Sequence, residues 1–240
     1  MTSAPGWPDG VRSRRYDNVD STNAQAHRLA LAGERGPLWI TAAEQTKGRG
    51  RLQRVWVSHR GNLFATLLME AAPPHSAELG FVAGTAAAEA ANRYLPRHSA
   101  KLKWPNDVLV SRKKLAGILV EQVVPGVIAV GIGMNLVNCP DGATSIQAVC
   151  GVAPQPDEML NVIAVEMQAW VRSWRAHGFA HIREAWIARA DGVGEPISAL
   201  TGSHRLQGIF EDLDVHGALI LRDTAGNAHR VTAADVYYGP

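Results

Sequence analysis

The chain has 240 residues, enough for one full domain core and a small second module. Its 24 Lys and Arg residues against 22 Asp and Glu leave a formal charge of +2, so no global field draws it to nucleic acid or to an anionic membrane surface. No apolar run approaches the ~20 residues of a membrane span, and the start MTSAPGWPDG lacks the apolar centre of a signal peptide, which together predict a cytoplasmic protein without membrane association.

After that polar, Pro-containing start, VDSTNAQAHRLALAG offers Ser21, Thr22 and Asn23 as helix-starting residues, followed by Ala26, Leu29 and Ala30 and a stop at Gly33, which predicts a short helix. PLWITAAE is a strand candidate entering a basic loop, and NLFATLLME is a second strand leaving it after the Gly61-Asn62 turn. Behind Ser76, the residues Leu79, Val82, Ala83, Ala86, Ala87, Ala90 and Leu95 follow helical spacing and predict one long buried helix. KLKW with DVLV, then KLAGILVEQV, then GVIAVGIGMNLV extend the strands to a mixed sheet of five or more. The two cysteines, Cys139 and Cys150, form no C-x-x-C pair and are too few to staple a fold of this size, so we read them as reduced, buried and inert. Leu160, Ile163, Ala164, Met167, Trp170, Val171 and Trp174 mark another amphipathic helix with both tryptophans on its core stripe, and AHIREAWIARA marks a third. His177 and His181 have the spacing of helical zinc ligands, but Gly178 weakens a helix there and no Glu adjoins them, so they read as surface or structural histidines. From about Gly194 the texture changes to short alternating runs, HRLQGIFEDL, ALILRD and AHRVTAADVYY, broken at His216-Gly217 and Ala225-Gly226-Asn227. These predict a small β-barrel or sandwich.

The stretch EQTKGRGRLQRVW, Glu44 to Trp56, concentrates Lys47, Arg49, Arg51 and Arg54 around Gly48 and Gly50. Glycine allows backbone conformations closed to other residues, so amides there can turn around an anion while arginine supplies planar donor forks. Phosphate or carboxylate is the natural ligand; a solvated loop is the alternative, since Arg outnumbers Lys 19 to 5 throughout the chain. The Walker pattern is absent, GIGMNL carries Leu136 where a dinucleotide fingerprint needs its third glycine, and no G-x-S-x-G motif occurs.

The companions of the loop decide between these readings. DSTN (Asp20 to Asn23), EQTKGRGRLQRVW, KWPNDVLV with KKLAGILVE (Lys103 to Glu121) and GIGMN (Gly131 to Asn135), in that order, resemble the signature of the biotin protein ligases. The match is close over about Val19 to Asn138 and general beyond. It implies an α+β fold, with a mixed-sheet catalytic domain over residues 1–192 packed with helices and a C-terminal SH3-like β-barrel over 193–240. It also implies a reaction in two halves: biotin carboxylate attacks the α-phosphate of ATP, with Mg2+, to give biotinyl-5'-adenylate, and a lysine of an acceptor protein then attacks that anhydride. Both halves develop negative charge and the anhydride is hydrolysable, so a flexible Gly-Arg loop folding over the ligands suits both needs.

By this resemblance Arg49, Gly50 and Arg51 contact biotin or the adenylate, Arg54 joins them on the nucleotide side, and Trp56 gives an apolar wall. Ser21, Thr22, Asn23 and Gln45 would bond the ureido ring; for Ser21 and Thr22 the plain alternative is a helix cap. Lys114 would be the catalytic cation at the biotin carboxylate and α-phosphate, together with Arg51. Gly117, with Ala116, would keep the strand surface low so that the biotin ring lies against backbone, or serve ordinary close packing. Gly131 and Gly133 would line the biotin cavity, Lys103, Asn106 and Asp107 the nucleotide and its magnesium, and Asn135 the nucleotide side. One departure is Gln53, where the pattern commonly has a further glycine. The implied partner is the biotin carboxyl carrier domain of acetyl-CoA carboxylase or a related carboxylase, with the enzyme a monomer or homodimer.

Two rivals remain in view. A lipoate ligase or octanoyl transferase shares the fold type and a similar lysine, but the Gly-Arg-Gly-Arg loop and KWPND favour biotin. A transcriptional regulator would need paired N-terminal helices, and only about twenty residues precede DSTN, so no nucleic-acid partner is expected.

Overall fold

The computed structural model describes residues 6–71, 77–96, 99–202 and 204–239. A seven-stranded mixed sheet forms its centre, built from β1 (Arg12–Val19), β2 (Leu38–Gln45), β3 (Leu63–Glu70), β4 (Ala100–Lys103), β5 (Asp107–Val110), β6 (Lys113–Val124) and β7 (Val127–Met134) in the order β1-β2-β3-β7-β6-β5-β4. All neighbours are antiparallel except β1 and β2, which run parallel. A parallel pair cannot be joined by a tight turn. Helix α1 (Thr22–Leu31) makes the crossover, and so delivers Ser21, Thr22 and Asn23 to the sheet surface beside the end of β2 and the middle of β3.

Both faces of the sheet are covered, which is why the central strands read as nearly continuous apolar runs. Along β2 the side chains alternate: Leu38 and Ile40 pack with Ala26 and Ala30 of α1, whereas Trp39 faces the larger core on the other side. That larger core is closed by α2 (Glu78–Asn92) and α4 (Pro156–Ile187). Ala83, Ala86, Ala87 and Ala90 of α2 are fully buried, and their small side chains let the two helices approach closely. Ser76 lies outside the described residues, and Leu95 is buried three residues past the end of α2 rather than within it. The two helices expected between Leu160 and Ala190 are continuous in chain but meet at Gly178, whose φ of 74° and ψ of −174° break the helical path. His177 and His181 flank that break with rings 5.5 Å apart, both exposed, and no group of three or more potential metal ligands exists among the described residues.

The C-terminal strands β8 (Pro196–Thr201), β9 (His204–Leu213), β10 (Leu219–Arg222), β11 (Ala228–Val231) and β12 (Asp235–Tyr238) form a five-stranded antiparallel sheet ordered β11-β10-β9-β8-β12. The order leaves β11 and β12 as edges. The turn breaks seen in sequence are aspartate turns: Asp214 Oδ1 accepts from His216 N and Ala218 N, each at 2.8 Å, and Asp223 Oδ1 accepts from Ala225 N and Asn227 N, each at 2.9 Å. Among the bonds that fasten this sheet to the rest, Trp104 Nε1 donates to Gly217 O (3.0 Å), Arg183 Nε to Leu213 O (2.6 Å) and Tyr238 Oη to Asp191 (2.6 Å).

Several expectations need correction. Cys139 is exposed, on the irregular segment after β7, and Cys150 is only partly buried at the end of α3 (Ile146–Cys150), although both are free thiols as read. Trp170 and Trp174 are not core but half-buried at its rim, where their indole N–H groups need partners: Trp170 donates to Glu89 (2.8 Å) and Trp174 to Glu78 (2.6 Å). Strand β1, RSRRYDNV, had no alternation to reveal it, because seven of its eight residues are not buried on the sheet edge. AHRVTAADVYY is two strands, not one run.

Candidate active site

One cavity of about 320 Å3 opens where the ends of β6 and β7, the N-terminus of α1, the β2–β3 loop and β12 converge. Most of the residues singled out above line it, namely Ser21, Thr22, Asn23, Gln45, Arg49, Gly50, Arg51, Arg54, Trp56, Lys103, Asn106, Asp107, Lys114, Gly117, Gly131, Gly133 and Asn135, whereas Lys47, Gly48 and Ala116 do not. The topology explains the convergence: β6 and β7 are hydrogen-bonded neighbours that set Gly117 opposite Gly133 and Leu119 opposite Gly131, and Asp107 of β5 pairs with Gly117 from the other side.

One end of the cavity is polar and neutral. Gln45 Oε1 accepts from Thr22 N (2.9 Å) and Thr22 Oγ1 (3.2 Å), while Gln45 Nε2 donates to Ser58 Oγ (2.9 Å). Thr66 Oγ1 donates to Asn23 Oδ1 at 2.7 Å and lies 2.8 Å from Thr22 Oγ1. Ser21 occupies the N-cap position of α1, but its side chain makes no capping hydrogen bond, so the plain cap reading fails for its hydroxyl.

The other end is cationic. Arg49, Arg51, Arg54, Lys103 and Lys114 face it, against the carboxylates of Asp107 and Asp235. Lys114 Nζ pairs with Asp107 Oδ1 at 2.7 Å and lies 5.3 Å from the centre of the Trp56 ring. Arg51 Nη1 donates to Asn106 Oδ1 (3.3 Å), and Arg54 pairs with Asp235 across to the C-terminal sheet. Burial pushes the Lys103 ammonium below its ordinary range, with Asp107 opposing the shift, and burial likewise lowers the Arg51 guanidinium. Desolvated cations of this kind are stabilised by an arriving anion. Asn135, expected on the nucleotide side, is buried and spends its amide on backbone, donating to Thr144 O (3.0 Å).

The glycines have specific occupants. A Cβ on Gly133 would meet Trp56 Cε2 at 2.5 Å, one on Gly117 would meet Trp56 Cζ3 at 2.9 Å, and one on Gly131 would meet Asn23 Oδ1 at 2.3 Å. The low strand surface therefore seats the Trp56 indole and the Asn23 amide directly, while Gly117, Gly131 and Gly133 still line the cavity. The basic loop folds back on itself: Trp56 N donates to Gly48 O (2.9 Å) and Gly50 N to Arg54 O (2.7 Å). The Gly50 amide is thus used within the hairpin rather than turned toward an anion. At the loop tip Leu52 and Gln53 have φ of 54° and 59°, the left-handed region, which accounts for the glycine that the resembling pattern carries at Gln53.

Sequence reasoning missed the wall supplied by Ala234, Asp235, Val236 and Tyr237 of the C-terminal sheet, because nothing in ordinary strand-like sequence signals a distant cavity. It also passed over Glu121, which accepts from Asn23 Nδ2 at 2.8 Å and pairs with Arg49 Nη2 at 3.2 Å. The conjunction of a carboxylate with buried amide and guanidinium partners is visible only in three dimensions.

Comparison with known proteins agrees with this geometry. The sequence model of the biotin/lipoate A/B protein ligase family matches residues 16–137. The biotin--[acetyl-CoA-carboxylase] ligase of Paracoccus denitrificans is 44% identical over 92% of this chain and 98% of its own length, and that of Mycobacterium tuberculosis is 30% identical over 91% and 85%. In fold, the biotin protein ligase from Aquifex aeolicus in complex with biotin and ATP superposes with a TM-score of 0.83, covering 95% of this chain and 99% of that one at 24% identity. A cavity with a neutral hydrogen-bonding end and a cationic end, on a sheet of this order and with these relatives, places the chain in the biotin/lipoate A/B protein ligase family.

Proposed function

We infer that this protein is a biotin–[acetyl-CoA-carboxylase] ligase: it activates biotin with ATP as biotinyl-5'-adenylate and transfers the biotinyl group to a lysine of a biotin carboxyl carrier protein. The observation that carries the reading is the polarity of this cavity, since biotin has a neutral ureido ring at one end and a carboxylate at the other. Thr22, Asn23 and Gln45, with Ser21, offer donors and acceptors to the ring. Trp56 walls the apolar middle.

At the cationic end a biotin carboxylate oxygen attacks the α-phosphorus of ATP and pyrophosphate leaves. Lys114 and Arg51 stabilise the charge that develops on the phosphoryl oxygens. The acceptor amine then attacks the acyl carbon, AMP leaves, and a proton is lost from nitrogen. Lys103, Arg49 and Arg54 add to the field that holds the polyphosphate, with Asn106 and Asn135 shaping the nucleotide side. Gly50 keeps the lid hairpin tight over them. Magnesium fits as a cation carried by the triphosphate: Asp107 is the one lining carboxylate beside Lys114, and a single protein carboxylate suits Mg2+ bound chiefly through phosphate.

We also assign residues 1–192 to the catalytic unit and 193–240 to an SH3-like module that lends β12 to the site, a reading supported by the short antiparallel strands and tight aspartate turns. The enzyme works in the cytoplasm on a carrier domain of acetyl-CoA carboxylase or a related carboxylase. Within the family, lipoate is the competing substrate. The hydrogen-bonding cradle of Thr22, Asn23 and Gln45 favours biotin, because a dithiolane ring would leave those groups unmatched. Pyrophosphate release tests this: the protein should release it from ATP with biotin and not with lipoate, and the reverse preference would refute the reading.

A further inference from the structure

The ureido cradle and the basic loop come from different parts of the chain, yet one carboxylate touches both. Glu121 stands on β6, two residues beyond the cavity-lining Leu119. Its Oε2 accepts from Asn23 Nδ2 at 2.8 Å and pairs with Arg49 Nη2 at 3.2 Å. Both partners line the cavity. The other end of the Asn23 amide accepts from Thr66 Oγ1 at 2.7 Å and lies where a Gly131 Cβ would be only 2.3 Å from it.

A carboxylate can only accept. Glu121, with the Leu119 carbonyl that accepts from the same Nδ2 at the longer distance of 3.3 Å, therefore sets which way the buried Asn23 amide faces, its NH2 toward Glu121 and its oxygen toward Thr66 and Gly131. The same oxygen gives Arg49 a fixed charge partner on the strand. Because the backbone of Glu121 is already held in register with Ala129 of β7, and its side chain is 32% exposed, this carboxylate is not needed to build the sheet.

We propose that Glu121 is a positioning residue that couples biotin recognition to closure of the basic loop, by fixing Asn23 of the cradle and Arg49 of the loop on a single carboxylate oxygen. The proposal rests on the ligation reading above. Ordering of the loop and orientation of the cradle become one event, so a ligand that satisfies the cradle also retains the lid.

The test is Glu121→Gln, isosteric and neutral, compared with wild type for biotin affinity, KM for ATP, rate at saturating substrates, lifetime of bound biotinyl-adenylate and Tm. Losing one charge-assisted hydrogen bond should weaken biotin binding about tenfold and shorten the adenylate lifetime by a similar factor. The saturated rate should stay within about twofold, because Lys114 and Arg51 are untouched, and KM for ATP should rise by less than the loss in biotin affinity, because Arg49 is one of several cations at the polyphosphate. A merely structural residue would instead lower Tm and depress every parameter together. Unchanged biotin affinity and adenylate lifetime, or equal losses for biotin and ATP, would overturn the proposal. If Glu121→Gln does not fold, Glu121→Asp keeps the charge but withdraws the oxygen by one methylene, and it should weaken biotin binding in the same selective way; unchanged binding would again overturn it. A wild-type protein that forms no adenylate refutes the ligation reading and this proposal with it, whereas an active wild type with an indistinguishable variant refutes the coupling alone.

Discussion

Replacing Gly133 by alanine would place a methyl group 2.5 Å from Cε2 and 2.7 Å from Cζ2 of Trp56. Carbon atoms in contact settle at about 3.5 to 4.0 Å, so the indole must retreat by roughly 1 Å. The strand cannot give way instead, because Gly133 is held between Phe64 of β3 and Gly117 of β6. Trp56 belongs to the basic loop and has somewhere to go. Overpacking of this size costs about 1 to 3 kcal/mol, and a loop that moves transfers that cost from global stability to the geometry of the site. Biotin binding should therefore weaken by roughly fivefold to hundredfold, while the protein stays folded. Calorimetric titration of biotin, run beside thermal denaturation, measures both. In a Trp56→Ala background the clash is gone, so Gly133→Ala should add little further loss. Unchanged biotin affinity in Gly133→Ala, or the same added loss with and without the indole, would refute the argument that Trp56 is the wall and Gly133 its seat.

Three further outcomes follow from the site and its surroundings. Lys114→Ala, losing the cation that pairs with Asp107, should cut adenylate formation by about a hundredfold or more while changing biotin affinity far less; comparable losses in both would make Lys114 a binding residue only. Arg51→Gly should still convert ATP to pyrophosphate but release biotinyl-adenylate roughly tenfold to hundredfold faster, which is read from the off-rate and from labelling of bystander lysines. Far from the site, the Arg12 fork and the Gly36 amide hold the Glu34 carboxyl down at about 2, so its contribution is complete above the ordinary carboxylate range and is lost as pH falls toward 2. Glu34→Gln should cost roughly 1 kcal/mol at pH 7, after allowance for solvent screening, with the difference from wild type vanishing near pH 2 in denaturant titrations.

Much of this site was legible in sequence because its chemistry sits in short contiguous motifs. DSTN, the Gly-Arg loop, KWPND, KKLAGIL and GIGMN each fall at the end of one strand or the start of α1, and antiparallel pairing of β6 with β7 and β5 gathers those ends on one side of the sheet. The strands themselves were readable where burial imposes a pattern, as in β2, β3 and β7, whose apolar residues alternate between the two cores. The physics that hid the rest is equally specific. Strand β1 is an exposed edge and carries no burial pattern. Helix α3 spans five residues, too few for a period to emerge, and its N-terminus is held by Ala148 N donating to Ser145 Oγ (3.1 Å) and by Ile146 N and Gln147 N donating to Asn135 O (3.1 Å) and Leu136 O (2.9 Å). Glycine spacing indicates a low surface on β6 and β7, but only the packed structure reveals that Trp56 and Asn23 are seated against it at the edge of the cavity. Asp235 reaches the cavity from far along the chain, and its pairing with Arg54 has no local signature at all.

The central claim is tested most directly by mass spectrometry of a biotin carboxyl carrier domain incubated with the protein, biotin, ATP and Mg2+. The account predicts that one lysine of the carrier gains a biotinyl group, that one AMP and one pyrophosphate appear per modification, and that omission of ATP abolishes all three. A carrier that stays unmodified, or one modified equally well without ATP, would contradict it.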